Sequence, residues 1–419
     1  MNSNIDISNE ESLLIGLCRL EFSSEQAGKL RSLVSGIKDW KYLADLANEH
    51  GVAALAYHNL ERLGIIQYVP RAVTDFLRNA LMISMSRNAH HLNEMNEVLK
   101  ILNSAGIKTV LLKGLALEIS VYGNAGLRQM TDVDILISRE DCIKARDLLI
   151  AGGFNSLPVK SLLHRLILTH TGKHLPSLLK NGFSVEIHHD LFGSGKSNLT
   201  GMLYDKSNET QINDERVFIP EEQIFFLYLV RHLFLHEKNN ESQLRLYTDL
   251  VVLIEKFGDS IINNDLPVFA EMGSMSNTLF RKLESLRNMW GMPFPEWLNE
   301  LIDREYDPGN QDRFIFFLRS PKNNPVTDKA WLYRYNIREI PGIHRKLLYI
   351  LGDLFPSISF MKKRYKCRNS WKALLYYPHR LGSCGICFIS IPRGHVQNRK
   401  APSLSGQLQI RRIYQLYIH

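Results

Sequence analysis

The sequence predicts an α+β protein in which a small mixed-sheet unit is embedded between largely helical N- and C-terminal regions. Three observations lead there. Through the first 105 residues, apolar side chains recur at three- and four-residue intervals, the period of an amphipathic helix. Between 108 and 190 the pattern changes to short apolar or alternating runs, punctuated by Gly152-Gly153 and Asn181-Gly182, as expected of strands and a hairpin. From 220 onward the helical spacing returns.

Each element follows from local chemistry. Trp40 to Gly51 has apolar residues at helical spacing and a Gly stop. Pro70 can open a long helix running to Ser104, with Gly106 as its C-terminal stop. In it Met82, Met85 and Met95 are read as core filler. Lys108 to Gly114 reads as a buried strand ending in Gly, and 115–122 as a short helix. Thr131 to Ile137 reads as a second strand. Val133, Ile135 and Ile137 share one of its faces and Asp132 and Asp134 the other, because side chains alternate with period two. Residues 139–151 form a helix stopped at Gly152-Gly153. Residues 173–190 form a hairpin turning at Asn181-Gly182, with Pro176 confining its first run to an edge. In its second run Val185 and Ile187 alternate with Glu186 and His188. Residues 193–218 are polar and read as loop. Pro220-Glu221-Glu222 starts a buried helix, and further helices are expected at 243–257, 275–289 and 310–319, with a final packing helix near 370–381. The expected organisation is a helical region over 1–90, the α/β unit over 91–192, a helical region over 193–385 and a basic, disordered tail over 386–419.

Composition bounds the function. Hydrophobic residues are 45% and charged residues 22% of 419, enough apolar surface to exclude a wholly disordered chain. No run reaches the roughly 20 apolar residues needed to span a bilayer, so no transmembrane segment is expected. The acidic start MNSNIDISNEESLLIG has no basic stretch before an apolar core, so a cytoplasmic protein is expected. The net charge of +8 is unevenly placed. Asp353 is the last acid, 12 of the 51 bases follow it, and the rest of the chain holds 39 bases against 43 acids. Only the tail therefore carries a polyanion signal. Its Tyr365, Trp371, Tyr376, Tyr377, Tyr414 and Tyr417 suit a weak contact with RNA, DNA or anionic lipid, and a solvated C-terminus equally. Five cysteines, odd in number and widely spaced, fit a reducing compartment.

The chemistry-bearing feature is the pair Asp132 and Asp134. Carboxylates at i and i+2 on a strand project the same way and suit the holding of one or two Mg²⁺ or Mn²⁺ ions against a triphosphate. An acid–x–acid triplet alone is weak, and its bland reading is a solvated strand face. Here the pair sits inside an apolar strand, a strand ending Lys113-Gly114 lies upstream, and a third acid, Glu186, lies on a later strand.

In these residues the chain resembles the nucleotidyltransferase superfamily that shares its fold with DNA polymerase beta, and more narrowly the family of uncharacterised nucleotidyltransferases. The resemblance rests on LLKGLALEISVYGNAGLRQMTDVDILIS (111–138), the helix ending AGGF (151–154) and VEIHHDL (185–191). It extends more faintly to 46–60, 232–256 and 355–365. It implies that Asp132, Asp134 and Glu186 bind metal, with Glu186 also taking the acceptor's proton. It implies too that Gly114 lets the backbone approach the phosphates. Many superfamily members place Ser after that glycine, and this chain has Leu115. Lys113 and Arg128 are then the candidate nucleotide ligands, against the plainer reading of salt bridges to those acids. His188, His236 and Asp249 are candidate substrate-groove residues. The implied reaction moves an NMP from an NTP, such as ATP, to a hydroxyl of a small molecule, sugar, protein or RNA end, with two metal ions and pyrophosphate release.

Two rivals stand beside this. A glycosyltransferase could use Asp132 and Asp134 to hold a nucleotide-sugar through Mn²⁺, but it gives no role to Lys113-Gly114 or Glu186. A catalytically degenerate nucleotide- or partner-binding protein is favoured by Leu115. Other patterns fail on spacing. His232 and His236 lack the glutamate of a zinc-protease helix. Asp303, Glu305 and Asp307 lack the Gly and Glu of a calcium loop. Cys384-Gly-Ile-Cys387 matches no zinc module.

Overall fold

The computed structural model describes residues 6–380 apart from 165, 167–171, 193–197, 239–242, 320–332, 334–336, 339 and 341. The basic tail and Cys384-Gly-Ile-Cys387 lie outside the described residues. The chain forms two compact units. One comprises Met1–Phe154 with Lys173–Thr327, the other Asn155–Gly172 with Asp328–His419.

The larger unit opens with α1 (Asn9–Leu17), α2 (Ser24–Leu33), α3 (Trp40–Glu49), α4 (Ala53–Arg62) and α5 (Arg71–Ser104). The first two start at reciprocal capping boxes, Ser8 with Glu11 and Ser23 with Gln26, which satisfy otherwise orphaned backbone N–H groups. The long α5 follows Pro70 as its spacing predicts. It buries Leu77, Met95, Val98, Leu99 and Leu102, whereas Met82 and Met85 are exposed. The filler reading holds for Met95 alone, because only the C-terminal half of α5 buries a continuous apolar stripe.

The central elements are β1 (Val110–Leu112), α6 (Lys113–Leu117), a π-helical turn (Glu118–Tyr122), β2 (Val133–Leu136) and α7 (Cys142–Ala151). A two-residue β3 (Asn155–Ser156) belongs to the second unit. Then come β4 (Leu178–Lys180) and β5 (Phe183–His188). Asn181 and Gly182 both have positive φ, 51° and 78°, as a type I′ hairpin requires.

The segment 193–218 departs from its loop reading. Beyond the undescribed 193–197 it holds α8 (Leu199–Asp205) and the antiparallel hairpin β6 (Asn208–Ile212) and β7 (Glu215–Ile219). The turn is Asn213-Asp214, with Asn213 at φ 52°. Polar alternation conceals these strands, since only Ile212 and Val217 are buried. The sheet of the larger unit is mixed. The six strands of the larger unit run in the order β4-β5-β2-β1-β7-β6, so the sheet draws on residues beyond 192.

Helices α9 (Glu222–Lys238), α10 (Leu244–Ile261), α11 (Asp265–Met272), α12 (Ser276–Trp290), α13 (Glu296–Arg304) and α14 (Asn310–Arg319) complete this unit. In α9, Ile224 to Val230 are all buried, as a helix apolar nearly all round should be. The smaller unit carries α15 (Ile343–Leu354), α16 (Ile358–Arg364) and α17 (Ser370–Leu374). It is tied by Asp353, whose side chain pairs with Lys160 and whose backbone oxygen accepts two bonds from Arg380. Among the described residues no helix is long and apolar enough to cross a membrane.

Candidate active site

The site is built where β1, β2 and β5 lie side by side. β2 pairs antiparallel with β1, setting Asp134 opposite Leu112. It pairs in parallel with β5, setting Asp134 beside Glu186 and Leu136 beside His188. Side-chain alternation then puts Asp134, Glu186 and His188 on a common face. The residue after Leu112 is Lys113, held at φ +44°, a left-handed conformation uncommon outside Gly, Asn and Asp.

Lys113 Nζ donates to Asp134 Oδ1 at 2.6 Å, and His188 Nε2 lies 2.7 Å from the same oxygen. His188 Nε2 is also 3.7 Å from Glu186 Oε2, and Ser177 Oγ donates to Glu186 Oε1 at 2.7 Å. Asp134 and His188 are buried and Glu186 is partly so. Burial opposes the charge on Asp134, yet the Lys113 ammonium and the His188 imidazole hold its carboxyl well below the usual range. Lys113 is held above its ordinary value, because the pull of Asp134 overcomes the cost of burial. Burial and the nearby ammonium keep His188 below its ordinary value against the pull of Asp134.

Asp132 stands at the entrance to β2. The strand begins at Val133, so Asp132 lies on the bend before it and accepts from Thr131 Oγ1 at 2.9 Å. Burial and the charges of Asp134 and Glu186 push its carboxyl up, with Lys113 acting the other way. The atoms that converge are those of Asp134, Glu186 and His188, one from each lying within 4.8 Å of one another. Two donors on opposite sides of an ion at roughly 2.0–2.2 Å stand about that far apart. The donor set therefore fits one divalent cation.

The other expected ligands sit in a second cluster. Arg128 donates from Nε and Nη2 to the two oxygens of Asp249 at 2.8 and 2.7 Å, and Tyr122 Oη donates to Asp249 at 3.1 Å. Arg128 and Asp249 are buried, and the pairing pushes the guanidinium's pKa up despite burial. The backbone of Arg128 is anchored too, since Asn88 Nδ2 donates to its carbonyl at 2.9 Å. Gly114 serves this cluster directly. A Cβ there would stand 2.5 Å from Arg128 Nη1 and 2.9 Å from Met130. Leu115 is fully buried, so its side chain faces the core.

Helix α9 supplies one more wall. Tyr228, His232 and His236 follow one another at four-residue steps, with the two imidazoles 4.4 Å apart. Tyr228 accepts a hydrogen bond from Lys113. Burial, then the charge of Lys113, holds His232 well below its ordinary value.

Sequence reasoning missed Tyr228 and Arg245. Arg245 is half-buried, and the loss of solvent around its guanidinium, together with the like charge of Arg128, brings its pKa down to about 10 against the pull of Asp249 and Asp132. It donates to the Gln129 carbonyl, and its Nε has no hydrogen-bond partner among the described residues. A signal existed. Arg245 and Asp249 are charged residues one turn apart on a helix buried along most of its first turns, and buried charge needs a partner.

These elements are a short strand entering helix α6 at Lys113-Gly114, a strand beside it that carries Asp134, and Glu186 on the strand after that. Residues 37–280 match the family of uncharacterised nucleotidyltransferases. The match spans more than half of the chain, and the protein belongs to that family. No curated protein matches the chain.

Proposed function

We propose that this protein transfers an NMP from an NTP to a hydroxyl-bearing acceptor and releases pyrophosphate. The observation that carries the reading is the cross-strand pair Asp134 and Glu186, with Lys113 poised 2.6 Å from Asp134 at the start of α6. A divalent cation held there would neutralise triphosphate charge and align the acceptor for in-line attack. Asp134 and Glu186 would hold that cation. Lys113 contributes a compact positive charge to the phosphates once it leaves Asp134. The acceptor oxygen forms a bond to the α-phosphorus, and the bond to the bridging oxygen breaks with its electron pair leaving on pyrophosphate. Asp132, outside the converging donors, takes the acceptor's proton while Glu186 stays committed to the cation.

The test is a screen of the four NTPs with Mg²⁺ or Mn²⁺, following pyrophosphate release and label transfer to candidate acceptors. Asp134→Asn and Glu186→Gln should abolish both signals. Nucleotide binding without pyrophosphate from any pair would favour the second reading, a binding protein that has lost transfer. Buried Leu115 supports that reading, because it removes the hydroxyl contact to phosphate.

A further inference from the structure

The donor set at the β2–β5 face adds a nitrogen to the carboxylates that would suffice for Mg²⁺. Its three converging donors are two carboxylates and one imidazole, Asp134, Glu186 and His188, while Asp132 stays on the bend outside them. Mg²⁺ is small, hard and reluctant to lose its waters, and it favours oxygen ligands. An imidazole nitrogen favours first-row transition ions, whose affinity for mixed N/O sites rises along the series from Mn²⁺ toward Cu²⁺.

The histidine is fixed for this purpose by the sheet. Leu136 and His188 are cross-strand neighbours, and the bridge between His174 and His188 pins the other side of the strand at that position. The atom that faces the carboxylates is Nε2, at 2.7 Å from Asp134 and 3.7 Å from Glu186. Those contacts direct one ring nitrogen into the cleft between two carboxylates.

We propose that His188 is a metal ligand and that this centre takes a first-row transition ion, Mn²⁺ or Co²⁺, in preference to Mg²⁺. The inference rests on the nucleotidyl-transfer reading and names the cofactor of that same site. For ligation the Nε2 proton moves to Nδ1, the lone pair freed on Nε2 forms the metal bond, and the hydrogen bond to Asp134 gives way to a shared cation.

The experiment uses the full chain and the metal alone. Mn²⁺, Co²⁺ and Mg²⁺ are titrated calorimetrically, and the Mn²⁺-loaded protein is examined by pulsed EPR for coupling to a ligated nitrogen. The parent should bind Mn²⁺ at least about tenfold more tightly than Mg²⁺ and display that nitrogen coupling, a readout that needs no variant. His188→Asn should lose the coupling and weaken Mn²⁺ by about tenfold or more, with a smaller change for Mg²⁺. His188→Asp, which restores an all-oxygen set, should narrow the preference for Mn²⁺. Bound Mn²⁺ without nitrogen coupling, lost on Glu186→Gln, would overturn this inference and leave the carboxylate site standing. A parent that binds no Mn²⁺, alone or with NTP, would overturn both.

Discussion

Lys113 and Asp134 are 21 residues apart in sequence and 2.6 Å apart in space, and the contact is almost fully screened from solvent. The ammonium stands where a cation bound to Asp134 would have to stand. Two positive charges so close repel strongly in a buried site, so Lys113 and a metal ion compete for one oxygen. A displaced Lys113 needs another anion, and the phosphates of an NTP provide it. Cation and nucleotide should therefore bind cooperatively, each improving the other by the same factor.

Lys113→Met tests this. Removing the competitor should tighten Mn²⁺ binding measured without nucleotide by roughly tenfold, a little over 1 kcal/mol. The enhancement of Mn²⁺ binding by NTP should shrink at the same time. Equal Mn²⁺ affinity in parent and variant, with the NTP enhancement intact, would make Lys113 a structural partner of Asp134 only.

Asp132 and Asp134 should part company in stability. Asp134 is compensated by Lys113 and His188, so Asp134→Asn strands a buried ammonium and should cost about 3–5 kcal/mol in EDTA. Asp132 is pushed up by burial and by its acidic neighbours, so its ionised form is disfavoured in the fold. Asp132→Asn should leave the melting temperature in EDTA unchanged or higher. Matching losses in both variants would show that the Lys113 ammonium stabilises the Asp132 carboxylate as much as it does Asp134.

The pH dependence follows from the depressed histidines. His188 and His232 both sit below their ordinary value. The unfolded chain therefore takes up protons near pH 6.5 while the folded chain does not. Their contribution to stability is complete above pH 6.5 and declines as pH falls from there toward the folded values. Over that window each contributes a slope of up to about 1.4 kcal/mol per pH unit. The melting temperature of His188→Asn should fall less than that of the parent between pH 7 and pH 5. Parallel curves would mean that His188 is protonated alike in both states.

Much of this centre was legible in the sequence, for identifiable reasons. Asp134 and Glu186 were readable because period-two alternation inside apolar strands fixes a face, and the Asn181-Gly182 turn fixes the register that carries Glu186 to β2. Asp132 lies one residue before β2, where alternation no longer fixes its direction, and what ties it to the site is the charge of Asp134, Glu186 and Lys113 acting on it. The hairpin of β6 and β7 was missed because its side chains are mostly polar, although it borders β1 and so helps to seat Lys113. The pairing of Arg128 with Asp249 spans 121 residues, a distance over which no local pattern can report. It appeared in the sequence only as a charged residue on a buried helix.

That pairing sets the last prediction. Arg128 has two readings, a ligand for nucleotide phosphate or a salt bridge that holds the loop before β2. Breaking one partner cannot separate them, because Arg128→Met alone leaves Asp249 buried without its counter-charge and should cost about 3–5 kcal/mol. The double variant Arg128→Met with Asp249→Leu removes both charges at similar volume, and replacing a whole buried pair in this way is often close to neutral. Tyr122 loses its acceptor and Arg245 loses a nearby anion, so a modest loss of about 1–2 kcal/mol is expected in place of the full penalty. The informative measurement is then the melting shift caused by NTP with Mn²⁺, about 2.7 kcal/mol for a ligand at 100 times its dissociation constant. If Arg128 contacts phosphate, the double variant folds and the shift falls well below that of the parent. If Arg128 only secures the loop, the folded double variant retains the full shift, and the phosphate contacts belong to Lys113 and to the unpaired Nε edge of Arg245.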